Sequence, residues 1–217
     1  MRQLWWLVLA PGACATATSE NQAMPDASSN PRIDAPDMMM IDAPAPCTMM
    51  TSNLLVNPAF EMMTTGWMET RIGNAAIVRA DGTITAHTPT LRAWLGGVLG
   101  TLGAPAVDAL WQDVMIPAST TQLVVTGMYD VRTAETGSTA FDTGTLALVT
   151  TADAPIESVL AVSNLTPKTA WTVINHPVTA GVAGMTVRLK MSSRNDFTST
   201  SAFYFDTLGL MATFCGP

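Results

Sequence analysis

From Thr51 onward the sequence is a succession of short apolar runs, several of them alternating apolar with polar residues, cut at intervals by turn residues. No stretch in this region makes a convincing amphipathic helix, so the chain must bury its apolar side chains by stacking one sheet on another. The runs predict strands over Asn53 to Phe60, Ala75 to Ala80, Arg92 to Gly96, Ala109 to Ile116, Gln122 to Val131, Thr143 to Thr150, Glu157 to Val162, Trp171 to His176, Met185 to Met191 and Ser201 to Thr213. Between them lie Asp81-Gly82, Gly96-Gly97, Ile116-Pro117, Thr136-Gly137 and Arg194-Asn195-Asp196. About ten strands without a helix predict an all-β, two-sheet antiparallel sandwich of jelly-roll type.

Alternation assigns faces to several strands. In ALWQDVMI, Leu110, Gln112, Val114 and Ile116 form the core-facing set, and Trp111, Asp113 and Met115 the other. In QLVVTGMYDV the inward set is Leu123, Val125, Gly127, Tyr129 and Val131, leaving Thr126, Met128 and Asp130 outward. Both faces of the closing SAFYFDTLGLMATF are partly apolar, which predicts burial on both sides.

The residues ahead of this region divide in two. MRQLWWLVLAPGACATATSE has one basic residue, an apolar run from Leu4 to Ala10 and then small residues, the form of an export signal over residues 1–18. The run is far too short to span a bilayer. Gly12-Ala13-Cys14 resembles the end of a lipobox, which would make Cys14 a lipidated N-terminus, although Pro11 stands where Leu is usual; Ala15-Thr16-Ala17 would suit ordinary cleavage. Residues 19–50 are rich in Pro, Asp, Ala and Met, with IDAP repeated at Ile33 and Ile41, and read as a disordered tether ahead of a domain over residues 51–217. Fully extended at about 3 Å per residue, such a tether reaches about 100 Å. Met38-Met39-Met40 has no His or Cys beside it, and composition accounts for it better than Cu(I) binding does.

Three cysteines leave one to be explained in an exported chain. If Cys14 takes a lipid, Cys47 and Cys215 remain as a disulfide joining the two ends of the domain, in preference to three incidental thiols. The net charge of −7, with no basic cluster beyond Arg2, offers nucleic acid no electrostatic footprint.

The opening NLLVNPAFEMMTTGW resembles the start of bacterial jelly-roll modules related to carbohydrate-binding module families four, nine and twenty-two. RAWLGG, LWQDVMIP, LVVTGMYDV and FYFDTLGL follow in the family's order, so that the resemblance spans nearly all of residues 51 to 215. It implies a jelly roll, a non-catalytic binding role, and a structural calcium ion held by Glu61 and Asp206. Pro89 and Thr207 depart from the family's calcium pattern. Trp67 and Trp94 occupy positions that the family uses for packing, and Trp171 and Tyr129 are likewise read as packing residues. Trp111, on the polar-alternating face, is the candidate sugar platform, with Asp113, Met128 and Asp130 beside it if their strands are adjacent; a Trp covered by other residues is the competing reading.

Two histidines, His87 and His176, and the lack of HExxH, GxSxG or a phosphate-binding glycine loop argue against catalysis. Choosing a glycosidase pair from seventeen acids without geometry would be arbitrary. The sequence therefore predicts an exported module, secreted or held at the outer membrane or cell surface by a lipid anchor. Its expected partner is a polysaccharide or cell-surface glycan; the alternatives are a structural or adhesive protein contacting protein, and a jelly roll with no retained ligand site.

Overall fold

A computed structural model describes residues 47–82, 84–166 and 170–216. The export signal, Cys14, the tether and the Met38 to Met40 run lie outside the described residues. Eleven strands and no helix occur among those described: β1 (Thr48–Asn53), β2 (Met68–Thr70), β3 (Val78–Arg79), β4 (Arg92–Gly96), β5 (Ala106–Met115), β6 (Thr120–Thr133), β7 (Thr143–Thr150), β8 (Pro155–Ser163), β9 (Thr172–Pro177), β10 (Thr186–Asn195) and β11 (Ser201–Gly216). One sheet has the order β3-β4-β11-β6-β9, with β1 paired to the far end of β11; the other has the order β2-β5-β10-β7-β8. Every pairing is antiparallel. Most connections after β4 cross from one sheet to the other, which is what gives the sandwich its jelly-roll character.

The predicted inward sets meet between the sheets. Leu110 and Val114 of β5, Ile116 just beyond it, and Val125 and Val131 of β6 are buried, as are Phe203 and Phe205 of β11. Gly144 lets the sheets approach closely, since a Cβ there would lie 2.4 Å from Cδ1 of Phe203. The Cys47–Cys215 disulfide closes the two ends of the fold, and Met49 lies opposite Cys215 in the β1–β11 ladder.

The first strand differs from its prediction. It runs from Thr48 to Asn53, so pairing begins before residue 51, and NLLVNPAFEMMTTGW beyond Asn53 is a knitted turn. Asn53 ends the strand with its own side chain: its Oδ1 accepts from the amides of Leu55 (3.1 Å) and Leu210 (3.0 Å). Asn57, in the left-handed region at φ 52°, then accepts at Oδ1 from the Met62 amide and donates from Nδ2 to the Met63 carbonyl. Trp67 donates its indole N–H to the Asn57 carbonyl at 3.0 Å and packs with Phe60 in the core, centroids 5.2 Å apart. Gln112 fastens the turn to β5, accepting from Val56 N at 2.8 Å and donating to Val56 O at 3.0 Å.

Candidate functional site

The outer face of the β11 sheet carries a group of aromatic and charged side chains. Alternation puts them there: Ala93 and Leu95 of β4, Phe203 and Phe205 of β11, and Tyr129 and Val131 of β6 turn to the core, so their neighbours turn outward. The register then aligns Gly96, Ala202 and Arg132 in one row, Trp94, Tyr204 and Asp130 in the next, and Asp206, Met128 and Val173 in a third.

Trp94 and Tyr204 lie side by side, ring centroids 5.3 Å apart. The Arg79 guanidinium stacks on Trp94 at 3.6 Å, and Arg92 approaches Tyr204 at 5.3 Å. Arg92 is fully buried and donates to the carbonyls of Ala80 (3.0 Å) and Asp81 (2.5 Å). Burial pushes its guanidinium below the usual value, opposed by Tyr204 and by the carboxylates of Asp81 and Asp206. Across the sheet, Arg132 pairs with Asp130 at 2.7 Å. Trp94, Arg132, Thr133, Ala134, Thr200, Ala202 and Tyr204 line an open hollow of about 220 Å³. A second hollow of about 420 Å³ follows on the same sheet, lined in part by Thr126, Met128, Val173, Asn175 and Thr207. Indole Nε1 of Trp94, Oδ1 of Asp130 and Nε of Arg132 are buried with no protein partner, as is indole Nε1 of Trp111 in the other sheet.

The four residues predicted as a sugar platform are not brought together. Met128 and Asp130 lie on this face, but Trp111 and Asp113 belong to β5, which pairs with β2 and β10 in the other sheet, whereas β6 pairs with β11 and β9. The connection between Met115 and Thr120 changes sheets instead of making a hairpin. Trp111 is half-buried, with the Arg188 guanidinium 5.1 Å from its ring, as Trp94 has Arg79, and held there by Asp113 at 2.7 Å and Asp153 at 3.0 Å. The hydrogen bond to Asp113 outweighs burial and raises the Arg188 pKa above its usual value.

Trp94, read from the sequence as packing, is half-buried on the outer face. The signal was present in RAWLGG: Arg92 and Trp94 share a face, and Ala93 and Leu95 form the small apolar set opposite. Trp171 is also no core residue, since its indole donates to the Thr85 carbonyl at 3.0 Å and meets His87 edge-on at 6.1 Å. Trp67 and Tyr129 pack on the core as expected.

Glu61 and Asp206 close on one loop, but with donors facing them. Glu61 Oε1 accepts from the amides of Thr90 (3.1 Å) and Leu91 (2.9 Å). Asp206 accepts from Thr88 N at Oδ2, and from Thr88 Oγ1 and Thr207 N at Oδ1. Calcium requires converging oxygen acceptors; here Glu61 Oε1 and both Asp206 oxygens accept from N–H and O–H groups. The two carboxylates tie residues 88–91 to the sandwich directly.

The chain has an all-β, jelly-roll sandwich fold. No known family matches its sequence, and no curated protein matches it. Solved structures similar to it in fold include a family 61 carbohydrate-binding module in complex with β-1,4-galactotriose, at 15% identity and a TM-score of 0.48, over 76% of this chain and 99% of that one. A family 16 carbohydrate-binding module is similar at 18% identity and a TM-score of 0.43, over 73% and 99%. The xylan-binding domain of Xyn10C from Paenibacillus barcinonensis is similar at 12% identity and a TM-score of 0.38, over 79% and 97%.

Proposed function

We propose that this chain is a non-catalytic, exported module that holds a glycan against the outer face of the β11 sheet. The observation that carries the reading is half-buried Trp94 and the more exposed Arg132 along an open hollow, backed by Tyr204 and Asp130, which are themselves buried at 1% and 3% exposed. Sugar rings present both C–H faces, which pack on aromatic rings, and hydroxyls, which exchange hydrogen bonds with charged groups, and this row offers both kinds of partner. The second hollow extends the same face, so the reading favours an extended oligosaccharide over a single ring. Retention on polysaccharide affinity gels, with polymers chosen from a glycan array, tests it. Trp94→Ala and Arg132→Ala should each weaken retention at least about tenfold, the order expected for loss of a central aromatic or arginine contact. Trp111→Ala should leave retention unchanged. Retention that survives both substitutions on the β11 sheet and fails in Trp111→Ala would refute the site.

Export is supported by the disulfide, which needs an oxidising compartment. Anchoring through Cys14 is the proposed mode of attachment. Metabolic labelling with a lipid analogue should mark the native chain and not Cys14→Ser, and equal labelling of both would exclude a lipid on Cys14.

A further inference from the structure

The connections at one end of the sandwich bring together three carboxylates that are distant in sequence. Glu135 follows β6, Asp142 precedes β7 and Asp196 follows β10, and one oxygen from each lies within 4.8 Å of the others. Two oxygens on one calcium ion, each at about 2.4 Å, lie at most about 4.8 Å apart, so the three are close enough to share a cation.

Two observations show that protein donors alone do not satisfy the group. Asp142 is 0% exposed, and while its Oδ1 accepts from Asp196 N at 2.8 Å, its Oδ2 is buried with no partner. A buried carboxylate oxygen without a donor is costly, and the group has no Lys or Arg partner among the ion pairs of the described residues. The hydroxyl of Thr198 lies 2.8 Å from Glu135 Oε1, 2.8 Å from Asp196 Oδ1 and 2.9 Å from Asp196 Oδ2. Its one proton can serve only one of these acceptors. The amides of Thr198 and Ser199 also donate to Asp196 Oδ1 at 2.8 Å and to Glu135 Oε1 at 3.1 Å, but none of these donors carries a charge and none reaches Asp142 Oδ2.

We propose that Glu135, Asp142 and Asp196 bind a calcium ion. The ligands are hard oxygens on irregular connections, which suit calcium better than the strict octahedron of magnesium, and there is no His or Cys for a softer metal. β6 belongs to one sheet and β7 and β10 to the other, so the ion would fasten the two sheets together at this end. The site is separate from Glu61 and Asp206 and does not depend on the glycan reading.

The test is calorimetric titration and thermal melting of the full chain after treatment with EDTA and dialysis, with calcium chloride as the only addition. The expected result is one site with Kd in the range of about 0.1–1 mM. About 10 mM calcium chloride then raises Tm by roughly 3–10 °C, and equal magnesium chloride raises it less. Glu135→Gln should weaken calcium binding at least about tenfold by removing one ligand charge. Asp142→Asn should abolish the calcium-induced rise in Tm, and Glu61→Gln should keep it. If Asp142→Asn fails to fold, the affinity of Glu135→Gln decides. No heat and no change in Tm for the parent chain, a response unaltered in Glu135→Gln, or a response lost in Glu61→Gln would each overturn the proposal.

Discussion

Glu157, on edge strand β8, accepts from His176 Nε2 of β9 at 2.7 Å and from the amides of Thr179 and Ala180, which reach it from the other sheet's edge. Burial pushes its pKa up, but these hydrogen bonds outweigh it and hold the carboxyl below its usual value. A depressed folded pKa means stability that is fully present above the unfolded value of 4.5 and lost as pH falls through the lower folded value. Glu157→Gln should therefore lower the urea midpoint at neutral pH, with the gap to the parent narrowing as pH drops below that value. A gap that stays constant across the acid limb would show that the carboxylate's charge is not what matters. Asp206 has the opposite sign, because burial raises its pKa: its ionised form costs stability at neutral pH, and the cost disappears as pH falls through its folded value.

At the scale of elements, the sandwich is thin where β7 faces β11. The inward side of Gly144 is filled by the Phe203 ring, which is itself fully buried. Gly144→Ala should cost about 1–3 kcal/mol of unfolding free energy, the usual penalty for overpacking a core. An unchanged denaturant midpoint would mean that the sheets can move apart freely at this point. The long strands were legible because period-two alternation over eight or more residues fixes both type and face, as in β5 and β6, while β11 showed itself as a long apolar run buried on both faces. Two short elements were not. β2 is three residues long, too short to show a period, and Asn53 to Phe60 has the composition of a strand but is bent away by the side chains of Asn53 and Asn57. The candidate site was half legible for a related reason. Alternation put Met128 and Asp130 outward, but which strands share a sheet depends on long-range pairing, and that separated Trp111 from them and put Trp94 in its place.

For the whole molecule, the Cys47–Cys215 bond spans a sequence separation of 168 residues. Closing so long a loop in the unfolded chain predicts that the double variant Cys47→Ser/Cys215→Ser loses about 4–5 kcal/mol of unfolding free energy. Denaturant titration under matched conditions measures this directly, and a loss below about 1 kcal/mol would mean that the chain-entropy argument fails here.

The same bond determines how the fold carries mechanical load. A pull along the chain ahead of Cys47 enters the S–S bond and passes into β11, the middle strand of its sheet, paired with β6 on one side and with β1 and β4 on the other. The proposed glycan contacts lie within the loop of 167 residues between the two cysteines, so load on them reaches Cys47 by two covalent routes, through β1 and through β11 and the S–S bond. Drag on a bound polymer would thus be resisted by a covalent clasp and a central strand, and not solely by peeling the β1 edge one hydrogen bond at a time.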